Sequence, residues 1–142
     1  MPNTCLIAID GSEPSLKSIE YIIADAATRA AIPRVYLVNV QPSLPSDITR
    51  FVDKATVEDF QREAGDTALA AARTRLDQAS LAYSAHVLVG EAAPTLVEFA
   101  NANHCDMIIM GAHGFGTVIG LFMGSVTVKV VQLSAIPVLL IK

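Results

Sequence analysis

Short apolar runs alternate along this chain with longer segments in which apolar residues recur every three or four positions. The runs lie at residues 4–10, 34–40, 84–89, 106–111 and 136–141. None of them alternates strictly between apolar and polar side chains. They therefore predict five strands that are buried on both faces, as in a parallel sheet.

The segments between the runs have the spacing of amphipathic helices. The first helix is predicted within residues 12–31, where Ser12 is a candidate N-cap and Pro14 falls in the first turn. The second is predicted at about residues 56–79, and one face of it carries mainly apolar side chains, namely Val57, Phe60, Ala64, Ala68, Ala71 and Leu76. A third helix is predicted at residues 93–103.

The segment at residues 125–135 has two possible interpretations. Its valines at 126, 128 and 130 alternate as in a strand, whereas Val126, Val130 and Leu133 form a helical face. Because the segment lies between two predicted strands, a crossover helix is favoured.

This order of elements predicts a single α/β domain over residues 1–142, with an open five-stranded parallel sheet and helices on both faces. Residues 41–50 contain two prolines and are expected to form an irregular surface excursion. In such sheets the ligand crevice lies outside the carboxyl ends of the strands. Asp10, Val40 and Gly111 each end a predicted strand and are therefore candidate site residues.

Composition narrows the possible functions. The formal charge is −4 and no segment clusters basic residues, so nucleic acid is not an expected partner. No apolar run approaches the roughly 18 to 20 residues that span a bilayer, and no signal pattern opens the sequence, so a cytoplasmic location is expected. Cys5 and Cys105 are expected to be small buried hydrophobic residues, and His104, Cys105 and Asp106 lack a second ligand cluster for a protein-held metal site.

A glycine-rich stretch follows the fourth strand, with glycines at positions 111, 114, 116, 120 and 124. Gly124 and Ser125 open the last predicted helix, so backbone N–H groups could converge there on an anion. The spacing matches neither the P-loop nor the dinucleotide fingerprint. By spacing alone, a phosphate cradle and a flexible surface loop are about equally supported.

The sequence resembles a known family in the spacing of four residues and in three segments. The four residues are Gly111, Gly114, Gly124 and Ser125, and the segments are "IAIDGSEPS", "CDMIIMGAHG" and "IPVLLIK". Two residues separate the first pair of glycines and nine separate the second, as in the signature of the ATP-binding universal stress proteins. The resemblance covers the whole chain. It implies an adenine-nucleotide alpha-hydrolase-like fold with strand order 3-2-1-4-5, usually in a homodimer.

The resemblance also implies roles for individual residues. The motif places Gly111, Gly114, Gly124 and Ser125 around the phosphates and the ribose of ATP, AMP or ADP. Asp10 resembles the acid that faces the adenosine, Val40 resembles the residue whose backbone meets the adenine, and Ala8 occupies a position where some nucleotide-binding relatives have proline. The same contacting segments include Met110, Ala112, His113, Phe115, Gly116 and Val126.

The stretch from residue 110 to 126 carries no Lys, Arg, Asp or Glu. A triphosphate would then be neutralised by backbone N–H groups, the helix dipole and a bound Mg²⁺ or Mn²⁺. Lys129 could reach back to the phosphates, although a solvated lysine is the commoner case. The large apolar residues of the loop have two possible roles. They are expected either to form a lid or pack against a partner subunit, or to fill core space. These residues are Val118, Ile119, Leu121, Phe122 and Met123.

No nucleophile is paired with a recognisable base, and Asp10 with His113 is the one acid/base pair near a nucleotide. Dedicated turnover is therefore not expected, and the resemblance implies a homodimeric, ATP-binding regulatory module with an unidentified protein partner. The alternatives are a scaffold that binds no nucleotide and a slow ATP hydrolase. The last strand would lie at a sheet edge and pair with a second copy, through Ile136, Val138, Leu139, Leu140 and Ile141.

Overall fold

The computed structural model describes residues 3–113 and 124–142. Their strands form one parallel five-stranded sheet in the order β3-β2-β1-β4-β5, which confirms the predicted fold class. The strands are β1 (Thr4–Ala8), β2 (Arg34–Gln41), β3 (Ser84–Val89), β4 (Met107–Gly111) and β5 (Val138–Ile141). The helices are α1 (Glu13–Ala27), α2 (Ser46–Thr49), α3 (Lys54–Gln78), α4 (Ala92–Ala102) and α5 (Ser125–Leu133). The four residues of α2 interrupt the segment for which the sequence predicted irregular structure.

Both faces of the sheet are covered because successive side chains of a strand point to opposite sides. Ile7 of β1 belongs to a core cluster with residues of α1 and α3, whereas its neighbour Leu6 belongs to a second cluster with residues of α4 and α5. Both side chains are fully buried. This explains why the strands appear in the sequence as unbroken apolar runs. Cys5 and Cys105 are buried free thiols, as expected.

The helix starts differ in how well the sequence predicted them. Ser12 is the N-cap of α1, accepting a hydrogen bond from the backbone N–H of Ser15 at 3.3 Å, and a proline occupies the first turn. Both features were predicted. α3, in contrast, begins before residue 56, because the N-cap is Asp53, whose carboxylate accepts from the Thr56 N–H at 2.8 Å.

The inward face of α3 was predicted correctly at Leu76 but is shifted by one residue over most of the helix. The buried side of this helix consists of Gln61, Gly65, Leu69, Ala72 and Leu76, while Phe60 is 58% exposed. Gly65 permits the close approach to the sheet, since an added Cβ would lie 2.3 Å from Cγ1 of Val87. The apolar spacing predicted Phe60 and several alanines on the inward face. In the structure Gly65 lies on that face, because its missing side chain lets the backbone of α3 approach β3.

The segment at residues 125–135, which could be read as a strand or a helix, forms the helix α5. This confirms the crossover helix that its place between two strands favoured. Of its predicted face only Val130 is buried, and Val126 and Leu133 are 40% and 49% exposed. Thr127 is buried instead, because its hydroxyl donates to the Gly111 carbonyl at 3.1 Å. A hydrogen bond to the sheet has therefore fixed the rotation of this helix. Within the described ranges, no helix has both the length and the apolar character required to cross a membrane.

Candidate functional site

A cavity of about 270 Å³ opens outside the carboxyl ends of β1, β2 and β4. This is the position that the parallel-sheet rule predicts for a ligand, at the point where the strand order reverses. The structure brings nine of the predicted residues to its wall, namely Ala8, Asp10, Val40, Met110, Gly111, His113, Gly124, Ser125 and Val126. Ala112 is buried and does not line the cavity.

Several predicted residues lie outside the described part of the chain. These are Gly114, Phe115 and Gly116, together with the five large apolar residues between 118 and 123. Their roles stay predictions.

The cavity wall also contains residues that the sequence did not single out. Ile9, Ser15, Val38, Asn39, Ala92, Leu96 and Thr127 complete it. Asn39 gave a usable signal, because it is a polar residue inside an apolar strand. Thr127 gave none, because it lies outside the helical face that the sequence predicted. Ala92 and Leu96 come from the start of α4 and have the appearance of ordinary core residues. No pattern distinguishes them from the rest of the core.

Asn39 holds the end of β1 in place. Its side-chain amide donates to the Ile9 carbonyl at 2.8 Å, and its Oδ1 accepts from the amide of Gln41 at 2.8 Å. The backbone N–H of Ile9 also donates to the Val38 carbonyl at 2.9 Å. Asn39 is buried, and both ends of its amide are paired as burial requires. The chain therefore leaves the sheet at a fixed point, one residue before Asp10.

Asp10 is held by the turn that starts α1. Its Oδ1 accepts hydrogen bonds from the backbone N–H of Ser12 at 2.9 Å and from the Ser12 hydroxyl at 2.5 Å. Gly11 between them has a φ of +88°, a left-handed conformation that favours glycine. The Asp10 carboxylate is exposed and lines the cavity. It can accept a further hydrogen bond from a hydroxyl-rich ligand without losing its support.

The N-terminus of α5 forms the opposite wall. Gly124 is the N-cap and has no side chain to cap the helix, and its own N–H donates to the Ala112 carbonyl at 2.9 Å. The first helical hydrogen bond runs from Val128 to the Gly124 carbonyl at 3.0 Å. The N–H groups of the three residues before Val128 therefore have no partner within the helix. Together with the helix dipole they make this wall receptive to an anion.

The two motif glycines in the described structure meet different requirements. An added Cβ on Gly111 would lie 2.9 Å from the carbonyl oxygen of Pro14, so this glycine allows β4 to pack against the first turn of α1. Gly124 has φ −63° and ψ 153°, which any residue can adopt. A conformational reason for glycine is therefore absent at position 124, and close approach of a ligand to the backbone remains as a reason.

The wall carries little charge. Asp10 and His113 are the only ionisable residues among the lining residues that the structure describes. Lys129, for which a solvated position was the favoured expectation and contact with the phosphates the alternative, forms an ion pair with Glu91 at the start of α4. The floor is apolar, with Ala8, Val38 and Met110 contributing. Such a combination of an apolar floor, one carboxylate and a row of N–H groups suits a ligand with a flat ring, hydroxyls and an anionic end.

Comparison with known proteins confirms the family to which the sequence resemblance pointed. The sequence profile of the universal stress protein family matches residues 1–142. This chain belongs to the universal stress protein family. A universal stress protein of Thermus aquaticus is 30% identical to it over 143 residues, covering 100% of both chains.

Solved structures of universal stress proteins have the same fold as this family member. Universal stress protein UspA from Lactobacillus plantarum matches with a TM-score of 0.80 at 17% identity, covering 99% of this chain and 97% of that one. The Archaeoglobus fulgidus protein in complex with dAMP matches with a TM-score of 0.67 at 22% identity, covering 98% and 97%. A family protein from Arabidopsis thaliana with AMP bound gives a TM-score of 0.68 at 15% identity, covering 99% and 92%.

Proposed function

We propose that this universal stress protein binds an adenine nucleotide, ATP foremost, in the cavity outside β1, β2 and β4, and acts as a homodimeric regulatory module. The observation that carries the proposal is the arrangement of that cavity. It places the Asp10 carboxylate and the uncapped N-terminus of α5 around one apolar floor. The dAMP and AMP complexes of structurally similar family proteins support the choice of an adenine nucleotide.

Each part of the nucleotide has a matching wall. The adenine would lie against the apolar floor near Val40, and the ribose hydroxyls would donate to Asp10. The phosphates would accept from the N–H groups at the start of α5 and from the Ser125 hydroxyl. A volume of about 270 Å³ is close to the lower end of ligand pockets, roughly 300 Å³. It suits the nucleoside, with the phosphates extending along the α5 terminus toward solvent.

A divalent cation is part of the proposal. Because the described wall contains no Lys or Arg, a triphosphate would bring several negative charges into a region where helix N–H groups alone oppose them. Mg²⁺ or Mn²⁺ bound mainly by phosphate oxygens and water would reduce this charge without protein ligands. ATP affinity should therefore fall markedly when the metal is removed with a chelator, whereas adenosine affinity should not change.

The first experiment is to denature the freshly purified protein and identify released nucleotide by chromatography and mass spectrometry. Emptied protein is then titrated calorimetrically with adenosine, AMP and ATP in the presence of Mg²⁺. Release of an adenine nucleotide, or saturable binding that also raises the melting temperature, is the expected result. An empty protein that binds none of the three would refute the proposal and favour the scaffold, for which the lack of Lys and Arg in the described wall is the supporting observation.

A matched pair of variants tests the site rather than the fold. Asp10→Asn keeps the size of the side chain and one acceptor oxygen for Ser12 but removes the charge that a ribose hydroxyl would meet. Asp53→Asn is the control, since it makes the same change at the N-cap of α3, at a residue that does not line the cavity. Adenosine affinity should fall about tenfold in the first variant, the effect of one hydrogen bond to a charged group. Equal affinities in both variants would contradict the assignment of Asp10.

The homodimer would form through the open edge of β5. Pro137 and Ile141 direct their carbonyls to β4, accepting from Ile108 at 3.0 Å and from Ala112 at 2.9 Å. Backbone groups alternate in direction along a strand, so Val138 and Leu140 present theirs to the open edge. This edge can template pairing with a second copy. The side chains of Ile136, Val138, Leu139, Leu140 and Ile141 are half-buried in the single chain.

Leu140→Pro tests this interface without touching the bonds to β4. Proline removes the outward N–H of residue 140 and is tolerated on an edge strand. Light scattering should report a monomer for this variant. Leu140→Ala, which loses the same side-chain packing but keeps the N–H, should remain a dimer. A dimeric proline variant would contradict pairing through this edge.

A further inference from the structure

The ion pair between Glu91 and Lys129 lies at the rim of the cavity. Ala92, the residue after Glu91, lines the cavity, and so does Val126, one helical turn before Lys129. The Nζ of Lys129 contacts Oε1 of Glu91, which joins α5 to the N-cap position of α4. The side chains are 53% and 64% exposed. An exposed pair of this kind contributes little to stability, so its partners can exchange at low cost.

Lys129 lies one turn after the start of α5, the helix end where the phosphates of the proposed ligand would lie. Helical side chains lean toward the N-terminus of their own helix, so the lysine covers the first turn of α5. That turn carries the N–H groups of residues 125 to 127, which have no partner within the helix. Glu91, in contrast, does not cap its own helix, because its side chain makes no capping hydrogen bond to α4. The carboxylate holds the lysine instead.

We propose that Lys129 is a displaceable cation, held by Glu91 in the empty protein and transferred to the terminal phosphates when a nucleoside triphosphate binds. This inference rests on the proposed nucleotide site and deepens it by assigning what discriminates a triphosphate from a nucleoside. The described wall has no other Lys or Arg to meet the outer phosphates. Lys129, on α5 beside that wall, is the cation that we assign to them. Glu91 then acts as a competitor of the ligand and lowers affinity in proportion to phosphate charge.

The test compares adenosine with ATP, both with Mg²⁺ at constant ionic strength, for four proteins. These are the wild type, Lys129→Gln, Glu91→Gln and the control Lys54→Gln. Lys54 also forms an exposed lysine–glutamate pair, with Glu58, but it belongs to α3 on the opposite face of the sheet. All three substitutions remove one charge from a solvent-exposed pair. None of them removes a buried side chain.

Lys129→Gln should weaken ATP binding about fivefold and leave adenosine binding within twofold, since an exposed ion pair contributes up to about that factor. Glu91→Gln should strengthen ATP binding about two- to threefold by releasing the lysine. Lys54→Gln should match the wild type for both ligands. The preference for ATP should also decrease with added salt in the wild type, and less so in Lys129→Gln.

The outcomes separate this inference from the function on which it rests. If the wild type binds adenosine but Lys129→Gln leaves the ratio of ATP to adenosine affinity unchanged, the displaceable-cation role is refuted and the nucleotide site stands. An equal loss of both ligands in Lys129→Gln would mean a structural role and would also refute it, as would weaker ATP binding in Glu91→Gln. If the wild type binds neither ligand, the proposed function fails and this inference fails with it.

Discussion

Gly111→Ala separates the packing role of a motif glycine from a role in ligand approach. An alanine Cβ at this position would lie 2.9 Å from the Pro14 carbonyl oxygen and 3.1 Å from its carbon, whereas ordinary contacts begin near 3.4 Å. The end of β4 and the first turn of α1 would have to separate by about half an ångström. Because the obstructing atoms belong to the backbone, no side chain can rotate away.

The size of the effect follows from two opposing contributions. Overpacking of a tight contact costs about 1–3 kcal/mol. Replacing glycine by alanine reduces the entropy of the unfolded chain and returns about 0.4–1 kcal/mol. The free energy of unfolding of the empty protein should therefore fall by about 1–2 kcal/mol. For a chain of this length, the melting temperature should fall by about 3–6 °C.

Two assays on the same variant make the prediction sharp. Urea unfolding measures the stability of the empty protein, and calorimetric titration measures the affinity for adenosine. Since the added methyl group faces α1 rather than the cavity, adenosine affinity should change less than threefold while stability falls. Unchanged stability would refute the packing argument. Lost affinity at unchanged stability would assign Gly111 to ligand approach, as the family motif implies.

A second glycine supplies the control. At Gly65 an added Cβ would lie 2.3 Å from Cγ1 of Val87, a side chain that can be shortened. Gly65→Ala should be destabilised at least as much as Gly111→Ala, and the double variant Gly65→Ala with Val87→Ala should recover part of that loss. Position 65 lies away from the cavity, so adenosine affinity should match the wild type. A loss of affinity there would mean that instability alone weakens binding.

Three further predictions concern the groups that shape the site and the core. Ser12→Ala removes the N-cap of α1, because it deletes the hydroxyl that donates to Asp10 and accepts from the Ser15 N–H. Urea unfolding should report a decrease of about 1–2 kcal/mol in the free energy of unfolding. Thr127→Val removes the bond to the Gly111 carbonyl and should cost about 1–3 kcal/mol, whereas Thr127→Ser, which can still donate, should cost less. Burial, with smaller effects of Cys5 and Asp106, raises the pKa of Cys105 to about 11. The stability from its neutral thiol is present below pH 9 and is lost as the pH rises through 11, so stability should decrease less over this range in Cys105→Ala than in the wild type.

The sheet was predictable because helices cover both of its faces, so that each strand appears as an apolar run bounded by polar residues. The strand order came from the family resemblance, since periodicity carries no information on which strands are neighbours. The face of α3 was not predictable from apolar spacing. Gln61 and Gly65 are inside because of a hydrogen bond to the Pro42 carbonyl at 3.4 Å and a close contact with Val87, and neither depends on hydrophobicity.

The candidate site was predictable to the extent that strand ends define it. Asp10, Val40 and Gly111 follow from the rule that ligands bind at the carboxyl ends of parallel strands, and all three line the cavity. Ala92 and Leu96 were missed because they belong to α4, whose position over the cavity depends on tertiary packing. The pairing of Lys129 with Glu91 was missed for the same reason, since 38 residues separate the two along the chain.

At the start of α5, the hydrogen bonds that attach the helix to the sheet do not involve the first N–H groups of the helix. The Thr127 hydroxyl and the Gly124 N–H both bond to the end of β4, which fixes the helix against the sheet. The N–H groups of residues 125 to 127 take no part in this attachment and precede the first helical hydrogen bond. Under the proposed function, a ligand that accepts from them would not compete with these two bonds. The same reasoning applies to Asp10, because its Oδ1 accepts hydrogen bonds within the turn of α1 and its carboxylate still faces the cavity. Under the proposal, the empty and the nucleotide-bound protein would therefore share one backbone structure. They would differ mainly at the rim, where Glu91 and Lys129 form their ion pair.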